Sequence, residues 1–158
     1  MSGRNFKDRT NARLGVVQAI YSLEFNDVPI DELIDDFVSA RLGGELLSES
    51  GEDNENEEFI PMGDTDSALF IKILKGWDSM RSAVDAKIKD NFNQKWSYER
   101  TEKLAFAILR AAVAEMMISD VDRPVIINEY VNIAVSFYEN GQEARMINAL
   151  LDKIAKGM

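Results

Sequence analysis

The stretch "RNFKDRTNARLGVVQAIY" places four cations and a terminal tyrosine within one helical length. Arg4, Lys7, Arg9 and Arg13 stand against a single acid, Asp8, so residues 1–13 carry +3. The whole chain carries −10, which leaves −13 for the remainder. Arg9, Arg13, Val17 and Tyr21 recur every fourth residue and therefore share one row of a helix. Guanidinium groups in such a row can follow phosphates, and a tyrosine can stack on an unpaired base. Single-stranded RNA is commonly bound by that combination. Four cations neutralise only a few phosphates, so the affinity alone is modest and falls with salt. A partner is expected to complete the site. The competing reading is a solvated terminus with scattered charge.

Other chemistry is restricted by what is missing. The chain has no histidine and no cysteine. Ser-His-Asp and Cys-His arrangements cannot be built, and disulfides and Cys-based metal sites are excluded. No Gly-rich phosphate loop or dinucleotide fingerprint occurs. Acids are plentiful, but they fall mostly on expected solvent faces or in one run. From Glu45 to Glu58 there are seven acids and no base, with Gly51 inside the run and Pro61 after it as breakers. A calcium-loop reading of this run conflicts with Glu58, where an EF-hand needs glycine, and with Pro61 inside the loop. No cofactor and no enzymatic activity are expected.

The elements that must position the cationic row are helical throughout. Hydrophobic residues make up 46% of the 158, enough for a sizeable core without metal or disulfide. Ala12, Val16, Ala19, Ile20 and Leu23 mark the core face of the first helix. "DVPIDELIDDFVSARLGG" reads as a second helix, with Pro29 suited to its first turn and Gly43–Gly44 stopping it. The acidic loop at 45–62 follows. "DTDSALFIKILKGWDSMRSAVDAKIKD" opens on cap residues and carries Leu69, Ile73, Trp77, Met80, Val84 and Ile88 along one stripe, predicting a single long helix. "TEKLAFAILRAAVAEMM" is apolar nearly all round and predicts a central buried helix. Arg110 and Glu115 interrupt it, so it does not read as a membrane span, which needs about 20 largely uncharged residues. The basic N-terminus lacks the apolar core of a signal peptide. A cytoplasmic protein is expected.

"VIINEYVNIAVSFYENGQEARMINALLDKIA", residues 125–155, reads as two helices around Asn140–Gly141. Ile127, Val131, Ala134 and Tyr138 are expected on the buried side of the first. Ala144, Ile147, Leu150, Leu151 and Ile154 are expected on that of the second. Asn128 is expected to be a buried structural amide bonded within the fold.

Three stretches carry a resemblance: "RLGVVQAIYSLEF" at 13–25, "AILRAAVAEMM" at 107–117, and "VIINEYVNIAVSF…RMINALLDKIA" at 125–155. In this order and spacing they resemble the NusB family of bacterial transcription antitermination factors. The resemblance implies an all-α fold of about seven helices, in two small helical subdomains sharing a core, near 1–90 and 91–158. It implies a non-enzymatic RNA-binding adaptor. With NusE, a small-subunit ribosomal protein, such an adaptor binds boxA RNA of nascent ribosomal transcripts and joins the RNA polymerase antitermination complex. Arg9 and Arg13 fall on the family's Arg-rich positions, while Thr10 and Asn11 replace arginines common between them. Gln18 and Tyr21 match its V-Q-A-L-Y run. Phe137 matches the aromatic after its I-N-E helix. Met146 stands where an aromatic is common, beside Arg145, and Ala149 replaces the glycine after Asn148. The expected RNA contacts are thus Arg4, Lys7, Arg9, Arg13, Gln18, Tyr21, Phe137, Arg145, Met146 and Asn148. Glu99, in "WSYERTEKLA", is the expected contact to basic NusE. Two alternatives stand beside this. One is an orphan relative of helical domains fused to ribosomal RNA methyltransferases. The other is a protein-interaction module without RNA binding.

Overall fold

The computed structural model describes residues 2–42, 66–92, 101–139 and 141–158. The acidic run at 45–58 lies outside them. The described helices are α1 (Ser2–Ser22), α2 (Ile30–Leu42), α3 (Ser67–Ser79), α4 (Arg81–Asp90), α5 (Lys103–Ile118), α6 (Arg123–Phe137) and α7 (Gln142–Lys156). No strand occurs among the described residues, and the fold is all-α.

Local signals explain the ends. Asp66 caps α3 by accepting a hydrogen bond from the Leu69 amide at 2.9 Å. Asp31 and Glu32 lie in the first turn of α2, and Lys153 and Lys156 in the last turn of α7, each sign favourable to the helix dipole. Pro124 sits in the first turn of α6, where a missing amide hydrogen costs nothing.

The expected long helix over 66–90 is two helices. Met80 leaves helical geometry at φ −127° and ψ 24°. The Ser79 hydroxyl bonds the Gly76 carbonyl at 3.0 Å, and the Met80 amide turns to Trp77 instead. A side-chain donor has displaced the backbone donor that would have continued the helix. The buried stripe survives the break through Ile73, Trp77, Val84 and Ile88. At Gly76 an added Cβ would come within 2.8 Å of Ile118 Cδ1, so the absent side chain lets α3 lie against the end of α5.

α5 is the axis of the fold, in contact with α1, α3, α4, α6 and α7. Ten consecutive or near-consecutive residues of it are buried, from Ala105 to Met116. The five alanines among them let neighbours approach on every side. α1 runs antiparallel to α5, since Arg13 meets Glu115 and Glu24 meets Arg110. It runs parallel to α6, since Thr10 bonds Glu129 while Tyr21 neighbours Tyr138.

The buried side of α6 differs from expectation. Ile126, Glu129, Tyr130, Ile133 and Ala134 face inward, with Ile127. Val131 and Tyr138 are only half-buried. α6 is covered by both α5 and α7, so its inward arc is turned one residue from the sequence pattern. The expected inward face of α7 is as observed, with Met146 added.

Arg110 ties three elements. Its Nε donates to Asp85 at 2.9 Å, its Nη1 to Glu24 at 3.0 Å, and its plane lies 5.1 Å from the Phe106 ring. Burial pushes its pKa down, but the bonds and charges of Asp85 and Glu24 outweigh that, and the value ends raised. Arg110→Ala is expected to cost about 1–2 kcal/mol, above an ordinary surface pair. Urea unfolding measures it. Asp152→Ala, which removes only the exposed bridge to Lys156, serves as the control and should leave stability unchanged.

Candidate nucleic-acid interface

The row Arg9–Arg13–Val17–Tyr21 is not one open face. Arg9 is exposed, Arg13 and Val17 are buried, and Tyr21 is half-buried. α1 is covered by α2, α3, α5 and α6 along its middle, so a row that starts in solvent passes under its neighbours.

Arg13 is 4% exposed and belongs to the core. Its Nε donates to both Glu115 oxygens at 2.9 and 3.2 Å, and its Nη2 to Glu115 Oε2 at 2.7 Å. Its Nη1 lies 3.5 Å from Glu129 Oε1. The Tyr130 hydroxyl donates to Glu115 at 2.8 Å, and Thr10 donates to Glu129 at 2.9 Å. Burial disfavours the Arg13 charge. Its bond to Glu115 and the charges of Glu115, Tyr130 and Glu129 more than offset this, and the pKa ends above its ordinary value. Burial, then the Glu115 charge and bond, holds the Tyr130 phenol well above its ordinary pKa, against the opposing charge of Arg13. The expected phosphate contact at Arg13 is therefore corrected. Its guanidinium is directed at two carboxylates, and it pins α1 to α5 and α6.

Two more expected contacts are displaced. Met146 is 7% exposed and packs into the core. A base cannot lie on it. Asn148 is exposed, but it lines a cleft of about 420 Å³ between α6 and α7. Arg123, Ile127, Asn128, Val131 and Lys156 share that cleft. Asn128 is exposed as well, not the buried structural amide expected from its apolar surroundings. The two amides face one groove at the far end of α6. Ten residues separate Asn128 from Tyr138, about 15 Å along the helix axis.

Other residues converge. Tyr21 closes α1 beside Tyr138, which follows α6, and Glu143 in the first turn of α7 also acts on Tyr138. Phe137, 42% exposed, ends α6 next to Tyr138. Arg145, exposed, is one turn into α7, with its guanidinium over Gly141. Gly141 itself has φ −84°, so the turn does not use a left-handed conformation there. Gln18 is half-buried one turn before Tyr21 and is engaged within the protein. Lys7 and Arg9 are exposed at the other end of α1, with about 18 Å of helix between Arg9 and Tyr21. Arg4 falls on α1, but its side chain is outside the described residues, as is Glu99 altogether.

The sequence reading missed Glu102, Lys103, Phe25 and Tyr138 as members of this edge. The Tyr138 hydroxyl donates to Glu102 Oε1 at 2.5 Å. Tyr21 and Phe25 meet edge to face at 5.1 Å, and Lys103 Nζ lies 5.5 Å over the Phe25 ring. The signal for Phe25 was a large aromatic just past a helix end, in a stretch of polar residues. Among the described residues no group of three or more carboxylates is placed to hold a metal ion. No helix among them is long and apolar enough to cross a membrane.

Fold and edge together define a small all-α domain with an ion-paired first helix and an open cationic-aromatic rim. The family model described as NusB family matches residues 10–156. A transcription antitermination protein NusB from Caulobacter vibrioides is 36% identical, over 99% of this chain and 97% of the relative. One from Novosphingobium aromaticivorans is 34% identical over 95% and 94%. One from Rhodospirillum rubrum is 34% identical over 98% and 86%. The chain belongs to the NusB family.

Proposed function

We propose that the chain performs its family's antitermination role as a cytoplasmic RNA-binding adaptor. Paired with the ribosomal protein NusE, it binds boxA RNA of nascent ribosomal transcripts and helps RNA polymerase resist termination. The observation that carries this reading is the rim itself. Exposed Lys7 and Arg9 lie at one end of α1 and half-buried Tyr21 at the other, and Phe137 and Arg145 are exposed on either side of the α6–α7 turn. The cations take phosphates and the rings take bases. Gln18 and Arg4 are assigned to the RNA side on sequence grounds. Glu99 is assigned to the NusE side on sequence grounds, where an acid suits a basic partner.

The rim is short, and the body of the chain is acidic. Affinity for RNA without a partner should therefore be weak. The test is boxA binding by the purified chain, with and without NusE, between about 50 and 200 mM salt. Tight binding is expected only with NusE. Its logarithm should fall linearly with log salt, by about 0.7 for each neutralised phosphate of a single strand. Absence of boxA binding in both conditions would remove the reading and favour a protein-interaction module.

A further inference from the structure

Burial of Met146 removes the base contact that the family resemblance placed on α7. A different element supplies one. Tyr138 follows the last turn of α6, and its ring is half-buried, so one part is held and the rest is open. Its hydroxyl donates to Glu102 at the start of α5. The next residue, Lys103, reaches over Phe25, and Phe25 meets Tyr21 edge to face. Hydrogen bond, cation–ring contact and edge-to-face pair therefore link three aromatic side chains through Glu102 and Lys103 at the start of α5. Phe25 is 65% exposed even with Tyr21 at its edge and an ammonium group over its face.

We propose that Tyr138 is the second base-stacking residue of this rim, held by Glu102, so that Tyr21, Phe25 and Tyr138 form a platform for unpaired RNA bases. The proposal rests on the RNA-binding reading above. A base is favoured over a phosphate because Glu102 and Glu143 flank the platform and repel phosphate charge. Phosphates are taken by cations outside it, Lys7 and Arg9 along α1 and Arg145 on α7. The Tyr138 phenol stays neutral, because burial and its bond to Glu102 raise its pKa, so the ring adds no negative charge toward RNA. Phe137, the aromatic singled out by sequence, is one residue away and 42% exposed. Glu102 acts on RNA only through Tyr138 and is a positioning residue.

The experiment uses the NusE heterodimer and boxA RNA carrying 5-iodouridine at successive positions. Affinity is measured, and photocrosslinks are mapped by mass spectrometry. Wild type is expected to crosslink at Tyr138 as well as at Tyr21. Tyr138→Ala is expected to lower affinity by roughly 5- to 150-fold, the worth of one stacked base, with unchanged NusE pairing. Tyr138→Phe keeps the ring and should lose less. Glu102→Gln keeps an acceptor and should preserve the crosslink, whereas Glu102→Ala should weaken it. A merely structural role would lower unfolding stability without giving any crosslink at Tyr138. Wild-type binding with no crosslink at Tyr138, or with Tyr138→Ala at full affinity, would overturn this proposal alone. Loss of NusE pairing in Tyr138→Ala would assign the platform to protein contact and overturn it too. Failure of the wild-type heterodimer to bind boxA RNA would remove the functional reading, and this proposal with it.

Discussion

Arg13→Ala is expected to destabilise the fold by about 3–5 kcal/mol, the usual cost of breaking a buried ion pair from one side. Glu115 is fully buried and would keep its charge with one remaining donor, the Tyr130 hydroxyl. Glu129, 4% exposed, would keep only Thr10. The remaining groups cannot be hydrated without opening the α1–α5 interface. In a chain of this size each kcal/mol moves the melting point by roughly 2–4 °C, so a fall of about 6–20 °C is expected. Arg13→Lys should recover only part of the loss, because an ammonium group cannot reproduce the three bonds of the planar fork to Glu115. Thermal and urea unfolding measure both variants. A stable Arg13→Ala with selectively weakened RNA binding would return Arg13 to the RNA surface.

The misplacement of Arg13 shows where sequence reading stopped. Spacing put Arg9, Arg13, Val17 and Tyr21 in one row, and that geometry is sound. Whether a row faces water depends on what covers it, and periodicity within one helix does not contain the answer. A second signal was present. Glu115 stands alone among "AAVAEMM", in a helix predicted to be buried all round, and a buried carboxylate requires a cation and hydrogen bonds. The need for a buried cation was therefore legible, although eight of the nine arginines fall in helices and spacing alone does not pick one. Tyr130 and Glu129 needed the packing of α6 to join it. The central position of α5 was legible, because sixteen residues with so little polar surface can be satisfied only from several sides. The split at Met80 was not, since it turns on a serine hydroxyl taking one carbonyl. Asn128 and Asn148 were recognisable as unusual residues, yet the apolar neighbours of Asn128 suggested burial that the α6–α7 crossing does not impose, and Asn148, expected at the RNA face, lies in the same cleft. Tyr21 was legible at the rim. Phe25 and Tyr138 were not, because each lies just beyond a helix, where no period indicates a direction.

With Arg13 assigned to the core, the free part of the rim is tested by Lys7→Ala, Arg9→Ala and Tyr21→Ala together. The triple variant is expected to bind boxA RNA in the NusE heterodimer on the order of 100-fold more weakly. Tyr21 contributes about 1–3 kcal/mol if one base stacks on it. The two cations add a smaller loss that depends on salt, and their removal should reduce the slope of log affinity against log salt by about 1.4. The two effects separate on this axis. Tyr21→Ala alone lowers affinity equally at all salt concentrations, whereas Lys7→Ala with Arg9→Ala flattens the salt dependence. The fold should survive. Lys7 and Arg9 are exposed, and the buried Val16, Val17, Ala19 and Ile20 hold the end of α1 without Tyr21. Equal unfolding midpoints for variant and wild type check that. If the triple variant keeps its affinity and its salt slope, α1 is not the RNA-binding edge, and the cleft carrying Arg123, Asn128, Asn148 and Lys156 becomes the place to look.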